Sequence, residues 1–436
     1  MRPHPFLLLV LLAFLPILPA LLHPPTQPTF LFQSPPGLST PHAQHLRRTL
    51  PPCSLEETGG GVIATFPSAL PSSFWPSIML DACSTRTLQL LFEGTLDALT
   101  PRRLHAACFD LPILPHLRDD DGRWRTFSIT TTLLGDTDEL NNESVTSRTV
   151  KDALVSKILT NSKTRPDVDP TDPEVPLFVT VNSQGSVKMY LSLLSKSSSH
   201  RLRGYRGSKI HKAALRPTTA ALILEAAGVT KCSEAVKAGQ IEGMKVVDPM
   251  VGSGTFLVEA ALMCSGASPF TAYLHEGWRP VWAELGLADW PVAKGELKGV
   301  EAAAARWLDG GRFKVVGNDV ARANVEMVEE AFRAIKPVEP DVTLTAVDID
   351  EHKVGSRRED EAVIGVVNPP YPDGRIGALD PEIERTWQKV RRRTNVSLPS
   401  RICCSASSLR LLSTYSLSLT CRKTPPRSWG SGVRGR

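Results

Sequence analysis

The feature that most restricts the fold is a strand, a glycine turn and a helix in unbroken succession. Met244 to Asp248 (MKVVD) is an apolar run ending in an acid, with Pro249 behind it. Val251-Gly252-Ser253-Gly254-Thr255 makes a tight turn, and Phe256 to Met263 (FLVEAALM) opens a helix. This is the first βα unit of a nucleotide-binding α/β sheet. The two glycines let the backbone approach a ligand closely. A dinucleotide fingerprint wants a third glycine three residues after Gly254, where Leu257 stands, so NAD and FAD are disfavoured. No Gly-Lys-Ser/Thr closes the turn, so a P-loop is disfavoured further. A purely structural turn is the bland alternative.

The following segments extend the same sheet. Phe313 to Val316 (FKVV) runs into Gly317-Asn318-Asp319, and a helix is expected from about Arg322. An acid ending the second strand of such a sheet can hold the ribose hydroxyls of an adenosine ligand. Val342 to Val347 is a third strand ending at Asp348; Asp350, close behind, reads as a cap or turn residue. A fourth strand, Ala362 to Val367, delivers Asn368-Pro369-Pro370-Tyr371. The proline rings fix φ and stiffen this loop. The Asn368 side-chain oxygen and the Pro369 carbonyl can then accept both hydrogens of an exocyclic amino group. Tyr371 offers a face for an extruded base.

Upstream, Gly61 to Phe66 and Leu88 to Phe92 read as strands, and Val150 to Leu159 has helical spacing. Leu177 to Val181 and Val187 to Leu194 alternate as a strand pair, which together suggests an α+β domain over residues 55–195. A basic joint at 196–225 follows, with Arg201, Arg203, Tyr205, Arg206, Lys209 and Lys212 as candidate contacts to a phosphate backbone and a stacked base. A solvated linker is the alternative for that patch.

Charge excludes a globally basic nucleic-acid-binding surface. The formal +5 becomes −10 for residues 56–384 once the three cations before Glu56 and the twelve after Glu384 are set aside. The eight cysteines contain no Cys-x-x-Cys pair, so paired zinc sites and the common iron–sulfur spacings are unsupported. Phe6 to Leu22 (FLLLVLLAFLPILPALL) behind Arg2 has the shape of a leader, and the acid-free stretch to Leu50 reads as a transit-like continuation. Residues 1–50 are therefore expected to be a targeting segment for an organelle, plastid or mitochondrion. No stable membrane association is expected after its removal. Residues 391–436 lack acids and any sustained period. They read either as a basic tail or as a shifted-frame sequence.

With these pieces in order, the chain resembles the THUMP-domain class I S-adenosyl-L-methionine-dependent methyltransferases, and within them those that modify guanine N2 of large-subunit ribosomal RNA. The resemblance runs from about Gly60 to Trp387. It rests on VKDA (Val150–Ala153), RPDVD (Arg165–Asp169), RGYR (Arg203–Arg206), AALRPTTAA (Ala213–Ala221), DPMVGSGTFLVEAALM (Asp248–Met263), GND (Gly317–Asp319) and NPPY (Asn368–Tyr371). It implies a Rossmann-like methyltransferase domain over 226–390, preceded by an α+β RNA-binding domain. It also implies that Asp248, Gly252, Ser253, Gly254 and Thr255 shape the methionine end of the cofactor pocket. Asp319 would take the ribose, Asp348 the adenine, and Asn368, Pro369, Pro370 and Tyr371 the target base. Ribosomal RNA is the implied partner, and no metal is needed.

The sequence departs from the family at Val251, where Cys is frequent, and at Pro372, where Gly usually follows the tyrosine. The strands that complete the family's sheet are not legible after about Val390, which suggests a truncated domain. The four tryptophans Trp278, Trp282, Trp290 and Trp307 read as core or interface. Adenine N6 methylation and non-catalytic RNA binding remain alternatives.

Overall fold

The computed structural model describes residues 22–194, 203–206, 214–270, 278–308, 310–336, 338, 340–348, 351 and 361–366. The first unit holds β1 (Thr29–Gln33), α1 (Ser39–Thr49), β2 (Ser54–Thr58), β3 (Gly61–Thr65), α2 (Phe74–Ile78), β4 (Arg86–Thr95), α3 (Pro101–Asp110), α4 (Leu114–Leu117), β5 (Phe127–Leu134), α5 (Glu143–Ser162), β6 (Val175–Asn182) and β7 (Ser186–Ser192). Its strands form one seven-stranded sheet in the order β2-β3-β1-β4-β7-β6-β5. Among the described strands of this sheet only the β5–β6 pair is parallel. Helix α5 starts where the Asn142 side chain accepts from the amides of Ser144 and Val145, which satisfies two otherwise orphaned donors. Helix α3 is capped in the same way by Thr100, with Pro101 at its first position.

Residues 29–49 correct the expected targeting segment. β1 lies between β3 and β4, and its TFLFQ alternation buries Phe30 and Phe32 completely. Helix α1 buries His42, Ala43, His45 and Leu46. His42 and His45 are thus core residues, and the folded unit begins by residue 22 rather than at 55. One strand of five residues carries too little period to stand out beside a Pro- and Ser-rich flank.

The second unit holds α6 (Pro217–Ala226), α7 (Val229–Lys237), β8 (Gly243–Asp248), α8 (Thr255–Ser265), α9 (Val281–Glu284), α10 (Trp290–Leu308), β9 (Phe313–Asn318), α11 (Arg322–Ala334), β10 (Asp341–Thr345) and β11 (Glu361–Gly365). Its described strands are all parallel and run β10-β9-β8-β11. In chain order this is 3-2-1-4, the doubly wound arrangement whose strand order reverses between first and fourth strands. Ligands bind such sheets beyond the carboxyl ends of the strands at that reversal. All eleven residues of α8 are buried.

The units share buried surface. The segment between α8 and β9 sends Phe270, Trp282 and Trp290 into the first unit's core, where the Trp282 ring meets Trp75 at 5.1 Å. Trp282 also meets Trp290 at 5.6 Å, so the tryptophan-rich stretch is packing, as its sequence suggests. Ser268 donates to the Met79 carbonyl at 2.6 Å, and Arg48 of α1 pairs with Glu225 of α6.

Candidate cofactor and base site

The carboxyl end of β8 delivers Asp248, which is 2% exposed. Burial pushes its carboxyl up to about 7; the Met250 amide, donating at 3.1 Å, opposes this in part, and the nearby Asp319 charge reinforces it. The turn after it adopts left-handed backbone at Gly252 (φ +49) and Gly254 (φ +76). The two glycines answer different needs. A Cβ at Gly254 would fall 2.8 Å from Val328 of α11, so this glycine permits helix packing. A Cβ at Gly252 would meet nothing within 4 Å. Open space above a backbone that can take this shape is what a close-lying ligand requires. Ser253 and Thr255 lie 3.3 Å apart through their hydroxyls at the start of α8.

Asp319 stands beside this turn, half-buried, and its Oδ2 accepts from the Gly252 amide at 2.9 Å. Its Oδ1 accepts from the Ala321 amide and from Asn324 Nδ2, at 2.9 and 3.0 Å. The structure therefore brings Asp248, Gly252 and Asp319 to one crevice. Asp348 is exposed just beyond β10. Asn368, Pro369, Pro370 and Tyr371 follow β11 in sequence and lie outside the described residues, as do Arg201, Lys209 and Lys212.

Sequence reasoning missed Asn318, the buried last residue of β9. Its Nδ2 donates to the carbonyls of Pro249 and Val347 at 3.3 and 3.0 Å, while its Oδ1 accepts from Thr345 Oγ1 and the Val347 amide at 2.7 and 3.3 Å. One side chain thus ties together the loops that carry Asp248 and Asp348. A polar residue closing the apolar run FKVVG was the available signal.

The basic joint is corrected. Arg203 is fully buried and Tyr205 is 3% exposed, so neither offers a face to RNA. Arg203 pairs with Glu259 of α8 at 3.3 Å and donates to the Ala82 carbonyl. Tyr205 donates to Glu259 Oε1 at 2.6 Å, and Arg206 donates to Thr255 Oγ1 at 2.8 Å and to the Leu215 carbonyl. Density of charge in the sequence misled because its counter-charge, Glu259, lies far along the chain. A lone Glu inside the otherwise apolar run FLVEAALM could have announced a buried partner.

At the junction, ligand atoms of His45, Asp81 and Cys83 lie within 4.8 Å of one another, a donor set that suits a transition metal. Hydrogen bonds already engage two of them: the Ala82 amide donates to His45 Nε2 at 3.3 Å, and the Cys83 and Ser84 amides donate to Asp81 Oδ1. The cluster fastens α1 to the loop after α2. A separate concavity lined by Val236, Gln240, Ile241, Glu242 and Arg312 lies at the amino ends of β8 and β9, away from the glycine turn.

Comparison with known proteins bears on this arrangement. Residues 113–191 match the THUMP domain, and residues 203–415 match the RMKL-like methyltransferase domain. The chain thus carries two matched domains, a THUMP domain and an RMKL-like methyltransferase domain. The second match opens at Arg203, so the RGYR segment belongs with the methyltransferase unit, and it continues past residue 390.

Curated relatives of the family include two proteins named ribosomal RNA large subunit methyltransferase K/L. The one from Magnetococcus marinus is 27% identical over 286 residues, covering 65% of this chain and 36% of the relative. The one from Allochromatium vinosum is 28% identical over 299 residues, covering 66% and 36%. The chain thus spans about a third of the length of these relatives.

Among solved structures, a Listeria monocytogenes protein described as a "predicted N6-adenine-specific DNA methylase" superposes with a TM-score of 0.62 at 16% identity, covering 86% of this chain and 87% of its own. SMU.472, solved with SAH, superposes with a TM-score of 0.60 at 16% identity, covering 85% and 87%. At that identity the likeness carries the fold alone: a mixed α/β unit followed by a doubly wound parallel one.

Proposed function

We propose that the chain transfers a methyl group from S-adenosyl-L-methionine to the exocyclic N2 amino group of a guanine in large-subunit ribosomal RNA. The observation that carries this reading is the convergence of Asp248, the open Gly252 turn and Asp319 at the carboxyl ends of a 3-2-1-4 sheet, with Asn-Pro-Pro-Tyr next in sequence after β11. The family of the relatives named above supports the RNA substrate.

The cofactor supplies an electrophilic methyl on a sulfonium, so the protein's task is alignment more than activation. Gly252 leaves room for it, and Asp319 is placed to accept from ribose hydroxyls by exchanging its present donors for them. Asp348 would meet the adenine; its neighbour Val347 is tied to the end of β9 through Asn318. Asn368 and the Pro369 carbonyl would accept the two amino hydrogens and so direct the nitrogen lone pair at the methyl carbon that the bound cofactor would supply, with the displaced amino proton passing to solvent. Tyr371 would stack on the base.

The test is methyl incorporation from labelled S-adenosyl-L-methionine into large-subunit RNA that lacks the modification, with the product nucleoside identified by mass spectrometry. N2-methylguanosine is expected. N6-methyladenosine would move the chain to the adenine reading. RNA binding without any methyl transfer would leave a non-catalytic binding protein. We further propose organelle import from the apolar run Phe6–Leu22.

A further inference from the structure

We propose that the Arg203–Arg206 turn is a positioning device that sets the cofactor turn in register with the amino-terminal unit. The inference rests on the cofactor reading above. The turn grips α8 at its first residue, Thr255, and one helical turn later, at Glu259, so the two grips lie on one face of the helix. Thr255 directly follows Gly254. Fixing the first turn of α8 therefore fixes the backbone under the ligand. Arg203 carries the same attachment across to the Ala82 carbonyl of the first unit.

Most of this is buried: Arg203 and Glu259 are wholly inaccessible, Tyr205 is buried, and Arg206 is half-buried. Burial pushes the Glu259 carboxyl up, and Arg203 and the Tyr205 hydroxyl pull it back in part. An arginine with φ +58 at the head of the turn is uncommon backbone, held here by contacts on both sides. A surface linker would need none of these features. The consequence is geometric: the face of the first unit and the methyl donor are spaced by one rigid, hydrogen-bonded turn rather than by a free tether.

The experiment is calorimetric titration of the full chain with S-adenosylhomocysteine, on wild type, Tyr205→Phe and Ser233→Ala. Tyr205→Phe removes one hydroxyl from the grip at almost constant volume. Ser233→Ala removes a comparable buried bond, 2.7 Å to the Cys264 carbonyl, at the far end of α8. Tyr205→Phe is expected to weaken binding roughly five- to tenfold. Ser233→Ala is expected to stay within about twofold, although both lower the melting temperature.

Arg206→Met, which has no side-chain donor for Leu215 or Thr255, repeats the test if Tyr205→Phe does not fold. Equal weakening by Tyr205→Phe and Ser233→Ala, or a folded turn variant that binds like wild type, overturns the proposal. A wild-type chain that does not bind the ligand at all removes the cofactor reading together with it.

Discussion

Asp248 is an acid held where acids are expensive. An unfolded Asp ionises near pH 4, whereas burial pushes this one up to about 7. Between those values the folded chain keeps a proton that the unfolded chain has lost. Stability therefore falls as pH rises through that window and stays lower above it, by at most about 4 kcal/mol. Replacing Asp248 with Asn should raise the melting temperature more at pH 8 than at pH 5. Thermal melts at the two pH values check this, and an unchanged pH dependence would contradict it. At the same scale, Glu259 shows why the site was only partly legible. Its partners Arg203 and Tyr205 lie more than fifty residues away, and no local spacing encodes such a pairing. Asp248, Gly252 and Asp319 were legible because strand, turn and acid are consecutive or fall at strand ends.

Elements whose burial follows one period were read closely from sequence. The four described strands of the second unit appear within a few residues of their expected ends; β8 and β9, buried on both faces, are short apolar runs closed by turn residues. β1 was lost because it is short and adjoins a Pro-rich flank. Helix α1 was lost because it buries two histidines, which composition assigns to solvent. The order β10-β9-β8-β11 also needs a principle beyond the strands themselves, the rule for right-handed crossovers. What holds the ends of β8, β9 and β10 together is Asn318. Asn318→Ala would leave carbonyls and an amide without their partner, at a cost of about 2–4 kcal/mol. It should also loosen both acidic loops. Chemical denaturation measures the first effect, and calorimetric affinity for S-adenosylhomocysteine measures the second. A variant with normal stability would remove Asn318 from this role.

At the scale of the whole molecule, the first unit cannot spare its start. β1 pairs on both edges, with β3 and with β4, so cutting the chain at residue 50 would open the seven-stranded sheet in its interior. A chain beginning at Leu22 is expected to melt with the cooperativity of the full protein, whereas one beginning at Pro51 should show no cooperative transition. If import removes a leader, the amino terminus of the imported form should map at or before residue 22. A mature start near 51 with a normal melt would refute this. The interlocked tryptophans have a different consequence. Trp75 comes from one unit and Trp282 from the other, with Trp278 and Trp290 around them, and indole emission shifts in colour and strength with its surroundings. The protein thus carries an optical gauge at its own seam, able to report, without any added label, whether its two halves are together or apart.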